Sequence, residues 1–192
     1  MAKNIYQIHI SLMDFEPKIW RRVLVPSDVS LHDVHKIIQT AMGWENSHLH
    51  QFIASDNQIY SLPMEGVWAD IPAKDSRKVK LADLLTKKND PLIYEYDFGD
   101  GWRHLILLEK NVPHEQNFNH PVCIGGEMNC PPEDCGGIWG YEEMLEVLEN
   151  PDDEEYEEYL EWLGEEFDPE YFDKDKVNYY LKKRDFGCIE LR

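Results

Sequence analysis

An α+β fold follows from three patterns: period-two alternation of apolar residues at the N-terminus, a hairpin centred on Gly99-Asp100-Gly101, and stretches of helical periodicity between and after the strands. Together they predict a single domain with a mainly antiparallel or mixed sheet built from hairpins, helices packed on it, and acidic helices at the C-terminal side.

Tyr6, Ile8, Ile10 and Leu12 alternate with Gln7, His9 and Ser11, as in a half-buried strand. Ile19 to Val25 is a second strand, stopped by Pro26, and the connection through Asp14 and Pro17 suits a hairpin. Ser30 can cap a helix with Asp33 three residues on. Leu31, Val34, Ile37, Ile38, Ala41 and Met42 form its buried stripe, and Gly43 ends it. Leu49 to Ala54 and Gln58 to Ser61 read as short strands around an Asp56-Asn57 turn. Pro63 to Lys80 reads as an exposed loop before a short helix at Leu81 to Leu85. Leu92 to Asp97 and Trp102 to Glu109 form the clearest hairpin, and Asn111 to Ile138 reads as one irregular stretch. Two amphipathic helices follow, with stripes Tyr141, Met144, Leu145, Leu148 and Tyr156, Tyr159, Leu160, Leu163, separated by Asn150-Pro151. Val177, Tyr180, Leu181 and Arg184 suggest a last helix.

The chain has 192 residues, 42% of them hydrophobic, enough for the core of one domain. Its net charge is −19, but from Tyr141 to Glu170 there are 15 acidic residues and no Lys or Arg, which leaves only −4 for the other 162 positions. Without a cationic footprint, direct nucleic-acid binding and anionic-membrane binding are disfavoured, so the expected partner is a small ligand or a protein. The longest aliphatic run, Leu105 to Leu108, is far below the roughly 20 residues that span a bilayer. The N-terminus carries no apolar signal segment. A cytoplasmic protein is expected, with Cys123, Cys130, Cys135 and Cys188 as thiols.

Polar residues suited to chemistry fall in three places. His48-Leu49-His50 places two imidazoles on one face of a strand, where they could share a metal ion or hydrogen-bond beside the core. In the hairpin, a two-residue turn at Asp100-Gly101 would set Asp97 opposite His104, a pairing that raises imidazole basicity and fixes its tautomer. Pro131-Pro132-Glu133-Asp134-Cys135-Gly136-Gly137 joins stiff prolines, adjacent carboxylates and two glycines, either as a binding loop or as a cap for the next helix. The candidate pocket is thus His48, His50, Asp97, Asp100, His104, Glu133 and Asp134. A divalent metal such as zinc could be held by His48, His50, Asp97 and His104. Cys123, Cys130 and Cys135, with His114 and His120 upstream, form a looser alternative thiol site, because structural zinc sites usually open with a tighter cysteine pair. Asp97-Phe98-Gly99 lacks the other kinase motifs, and Leu108 stands where a calcium loop needs Glu. Of Arg21 and Arg22 one points inward, where a carboxylate such as Asp97, Asp100, Glu133 or Asp134 is its expected partner.

Five motifs occur in order: Pro17-Lys18-Ile19-Trp20-Arg21-Arg22; Leu31 through His35 into Ala41-Met42-Gly43-Trp44; His48-Leu49-His50-Gln51-Phe52; Tyr96 through His104; and Cys130 through Gly137 with Gly140-Tyr141. From about Ile5 to Leu148 the chain thereby resembles the Ri-plasmid Orf-three-like domain family, named after an open reading frame of a root-inducing plasmid. The resemblance implies a single α+β domain of bacteria and archaea, carried on plasmids and chromosomes, with no established biochemical activity. No serine or tyrosine nucleophile motif supports a recombinase. The motif-bearing body is 5–148, and the helical extension 149–192 lies beyond the resemblance. The leading expectation is a binding module with a polar His/Asp/Glu pocket. A metal-dependent hydrolase using the same residues is the alternative, and an acidic decoy for a basic partner is a third.

Overall fold

The computed structural model describes residues 4–63, 72–113, 117–164 and 167–188. Among them the strands are β1 (Asn4–Leu12), β2 (Trp20–Pro26), β3 (His50–Ala54), β4 (Ile59–Ser61), β5 (Ala73–Asp75), β6 (Pro91–Tyr96), β7 (Trp102–Pro113) and β8 (Val122–Glu127). The helices are α1 (Leu31–Met42), α2 (Leu81–Leu84), α3 (Gly137–Leu148), α4 (Tyr156–Leu163) and α5 (Lys174–Leu181). The strands form one mixed sheet in the order β5-β4-β3-β6-β7-β1-β2-β8, antiparallel throughout except for β4 beside β5. This is the α+β domain that the alternation predicts.

One face of the sheet is the core. Residues paired across strands share a face, so Tyr6, Ile8 and Ile10 of β1 continue into Val25, Val23 and Arg21 of β2, and into Ile106 and Leu108 of β7. The apolar stripe of α1 joins that cluster. Ser30 caps α1 by accepting the Asp33 amide at 3.0 Å, and Gly43 ends it in the left-handed conformation at φ 95°. Two strands escape the sequence reading. β5 lies in the expected 63–80 loop, of which 64–71 are outside the described residues. β8 lies in the stretch read as irregular, where Gly125-Gly126 masks the strand pattern. Asn178 of α5 completes this edge strand: its amide accepts from the Cys123 N–H and donates to the Cys123 carbonyl, both at 2.8 Å. Among the described residues no helix is long and apolar enough to cross a membrane.

Arg21 is the inward arginine, 2% exposed, but its hydrogen bonds among the described residues go to carbonyls rather than to the expected carboxylates. It donates to Ala41 O at the end of α1, to Trp20 O and to Glu127 O, each at 2.8 Å, and its guanidinium lies 4.3 Å from the centre of the Phe172 ring. A cation at a helix C-terminus satisfies orphan carbonyls and meets the negative end of the dipole, which a carboxylate partner would not require. Arg22, on the solvent face, forms a fork with Glu109 at 2.7 and 2.9 Å and holds that carboxyl down at about 2.

Histidines also enter the core. His35 of α1 stacks on His50 of β3, ring centres 3.5 Å apart and 4° from parallel. His35 Nε2–H donates to Asn46 Oδ1 at 2.8 Å, since that oxygen can only accept, and the other nitrogen of the neutral ring, Nδ1, accepts from the Tyr94 hydroxyl at 2.8 Å, which itself accepts from Gln39 Nε2 at 2.9 Å. Burial lowers His35 and His104 to about 3, and lowers His50 well below the usual value.

These three imidazoles are neutral in the folded chain and protonate near 6.5 when it unfolds. Their contribution is therefore complete above pH 6.5 and is lost as pH falls from there toward about 3. Urea midpoints measured at pH 7, 6 and 5 should show stability falling with a slope that approaches about 4 kcal/mol per pH unit, three protons' worth; a flat profile contradicts the assignment. The arginines make a second contrast. Arg21→Met should cost about 3 kcal/mol or more by stranding three carbonyls, while Arg22→Met should cost about 1 kcal/mol or less, both read from urea unfolding.

Candidate functional site

The site forms where three connections meet: residues 43–49 between α1 and β3, residues 97–101 between β6 and β7, and the 128–136 loop after β8. The hydroxyl of Tyr96, buried at the end of β6, joins the first to the third. It accepts the Ser47 and His48 amides at 2.8 and 3.3 Å and donates to Glu133 Oε1 at 2.8 Å. That oxygen also accepts the Glu45 amide at 2.8 Å. Burial, and next the hydrogen-bonded Glu133 carboxylate, push the Tyr96 phenol above its ordinary range, so it stays a donor. Trp44 adds a bond from Nε1 to Pro131 O at 2.9 Å and stacks on Tyr96 at 5.0 Å between ring centres.

The hairpin differs from the expected two-residue turn. Tyr94 pairs with His104 and Tyr96 with Trp102, which leaves the five residues Asp97 to Gly101 as the connection. Asp97 and Gly101 take left-handed backbone at φ 55° and 72°, and Asp97 O accepts from Gly101 N at 2.6 Å. The longer loop shifts the register, so Asp97 does not face His104. His104 is instead fully buried on the core face, between Leu12 of β1 and Tyr94 of β6, and meets the Trp44 ring edge-on at 5.2 Å. His50 likewise belongs to the core, stacked on His35. The two histidines of His48-Leu49-His50 separate because β3 begins only at His50. His48 lies in the preceding bend, where the period-two rule does not apply.

The structure brings together His48, Asp97 and Asp134, each offering a ligand atom, all within 4.8 Å of one another. His48 Nδ1 lies 3.6 Å from Asp97 Oδ2, and its Nε2 lies 3.1 Å from Asp134 Oδ1. The other oxygen of Asp97 accepts the Gly99 amide at 2.9 Å, which fixes the carboxylate's orientation. Asp134, at φ 61°, is 70% exposed. Glu133 and Asp100 serve the framework: Glu133 as described, Asp100 by accepting the Gly136 amide at 3.2 Å. The thiols do not assemble. Among the described residues Cys123, Cys130 and Cys135 join no three-ligand cluster, His114 lies outside those residues, and His120 Nδ1 is 3.0 Å from Pro121 O. Burial pushes the Cys130 and Cys135 thiols up to about 12.

Beside this cluster runs a cleft of about 830 Å³ between the Trp44 to Ser47 turn, the 129–134 loop and the C-terminal segment, which supplies Trp162, Phe167, Asp168, Tyr171 and Lys176. Asp134 belongs to both cluster and cleft. Sequence reasoning missed this wall. The acidic segment reads as a solvated face, and only the partly exposed Trp162 and Tyr171, apolar on an otherwise charged stretch, signal that one side of it covers a site.

The loop is held by close backbone approach. A Cβ on Gly140 would overlap the Cys135 carbonyl oxygen, and one on Gly137 the Asp100 carbonyl oxygen. Gly140→Ala should therefore cost about 2 kcal/mol or more in urea unfolding as the loop is displaced. Gly164→Ala, where a Cβ meets nothing, should cost about 1 kcal/mol from its left-handed backbone alone.

Two proteins are similar to this chain, one by sequence and one by structure as well. The uncharacterized protein y4hQ of Sinorhizobium fredii is 39% identical over 165 residues, 85% of this chain and 83% of its own. The crystal structure of the protein of unknown function MM3350 from Methanosarcina mazei Go1 superposes with a TM-score of 0.81 at 39% identity, covering 92% of this chain and 98% of that one. The family profile described as plasmid pRiA4b ORF-3-like protein matches residues 4–176, and so takes in α3 and runs past Leu148 through α4 into α5. On that match, which takes in sheet, cleft and acidic wall alike, the chain belongs to the plasmid pRiA4b ORF-3-like protein family.

Proposed function

We propose that the chain is a binding module whose ligand enters the cleft beside Tyr96 and presents a cationic group, an amine or a guanidinium, to its C-terminal wall. The supporting observation is the lining. Glu45, Glu133, Asp134 and Asp168 face the cleft against the amine of Lys176, with Trp44, Trp162 and Tyr171 among its aromatic groups. Carboxylates beside aromatic faces attract cations twice, by charge and by the ring quadrupole, the latter contributing about 0.5–2 kcal/mol. The 15 acidic residues of 141–170 extend the same field outward and would raise the local concentration of a positively charged ligand.

The hydrolase alternative asks for more. It needs a metal and, beside it, a carboxylate free to take a proton from an attacking water, a role that Glu133, already accepting two hydrogen bonds at Oε1, leaves to Asp134 or Asp168. The decoy reading needs only net charge and gives no role to the aromatic wall. Trp162 and Tyr171 favour the cleft.

A lysine- and arginine-rich peptide titrated into the full chain should quench tryptophan fluorescence saturably. Tyr171→Ala and Asp168→Asn should each weaken binding by about tenfold, and Glu157→Gln on the exposed face of α4 should leave it unchanged. Equal losses from Glu157→Gln and Asp168→Asn would turn the result toward the decoy. No saturable binding by any cationic peptide would end the cleft reading.

A further inference from the structure

We infer that His48 and Asp134 hold a divalent metal ion at the rim of the cleft, with Asp97 positioning the imidazole. The geometry between His48 and Asp134 is that of two ligands rather than of a hydrogen bond. Nε2 is shielded from solvent, and although Asp134 Oδ1 is 3.1 Å away, the two are out of line for hydrogen bonding. An ion takes the imidazole lone pair along the ring axis and the carboxylate oxygen from the side. Donors 3.1 Å apart both reach an ion at about 2.1 Å with an angle near roughly 95° between the bonds, a cis pair.

Asp97 acts from the opposite edge of the ring. Its Oδ2 faces Nδ1 at 3.6 Å, while Oδ1 is held by the Gly99 amide. A carboxylate on that side favours the proton on Nδ1 by its charge and leaves the Nε2 lone pair for the metal; a closure of a few tenths of an ångström would give the hydrogen bond that orients ligating histidines generally. Asp134 also lines the cleft, so an ion on its carboxylate would lie beside it. One imidazole with carboxylate and water oxygens suits manganese, iron, cobalt or zinc rather than calcium, which prefers all-oxygen shells, or copper(I), which prefers sulfur. The charges of Asp97 and Asp134 together cancel that of the ion, so a metal there does not repel a cationic ligand from the acidic wall. The inference stands whether or not the cleft takes such a ligand.

The test uses the full chain purified without an affinity tag, stripped with a chelator and titrated with Mn²⁺, Zn²⁺ and Co²⁺. One equivalent should bind, thermal stability should rise, and Co²⁺ should develop a visible absorption band. His48→Ala and Asp134→Asn should abolish the band and weaken affinity more than about tenfold, whereas Asp97→Asn should weaken it by roughly 10–100-fold while keeping the band position. Asp134 is exposed, so its variant should fold as the parent does, and Glu157→Gln should bind as the parent. Failure to bind any of the three ions stoichiometrically would overturn the inference. Binding that survives both His48→Ala and Asp134→Asn would overturn it as well. The peptide titration, run on the stripped protein, reports on the cleft separately.

Discussion

The candidate site depends on the hydroxyl of Tyr96. One buried oxygen accepts two amides of the turn leading into β3 and donates to Glu133, which in turn holds a third amide of that turn. Chain segments 47–48, 96 and 133 are far apart in sequence, and this junction, with the Trp44 Nε1 bond to Pro131 O, holds the turn bearing His48 against the loop bearing Asp134. The hydroxyl can do this because burial keeps it protonated and because the hairpin ends β6 with Tyr96 on the core face. Glu133 and Asp134 are adjacent and differ in role for the same reason. Glu133 turns inward and completes the junction, and Asp134, in left-handed backbone, turns outward beside the imidazole.

A second constraint comes from the sheet's buried face, which takes in polar groups, pairs Arg21 and His35, and keeps the buried imidazoles neutral. Arg21 ties the end of α1 to β2 and β8 with one carbonyl bond to each, and His35 completes a chain through Tyr94, Gln39 and Asn46. Such groups are costly to bury unpartnered and specify one arrangement when paired. The His35 and His50 stack ties α1 to β3, the strand that begins directly after the His48 turn, so the core fixes the starting point of the site-bearing loop.

The acidic segment takes on a different meaning once folded. Helices α3 and α4 keep most of their carboxylates in solvent, yet Trp162, Leu163, Phe167 and Asp168 close one side of the cleft. The extent of the family match, through Lys176, is in accord with this: the wall belongs to the same unit as the sheet.

The sequence by itself determined the local elements. Alternation marked β1, β2, β6 and β7, the cap Ser30 and terminator Gly43 bounded α1, and helical stripes marked α3 and α4, because each of these patterns depends on neighbours within a turn or a strand. It also marked His48, Asp97 and Asp134 as candidate site residues, though it placed His48 and Asp97 on strands rather than in the connections where they reside. Only the tertiary structure decided which of the flagged groups meet. His50 and His104 went to the core because the start of β3 and the five-residue hairpin loop set their faces, and neither a strand's first residue nor a loop's length can be read from residue types alone. Arg21 met carbonyls of α1, β2 and β8 rather than a carboxylate because the end of α1 packs over the sheet there. β8 became a strand through its pairing with β2 and through Asn178, partners far along the chain. Contacts between distant segments depend on how elements pack, and that information is not local to any stretch of sequence.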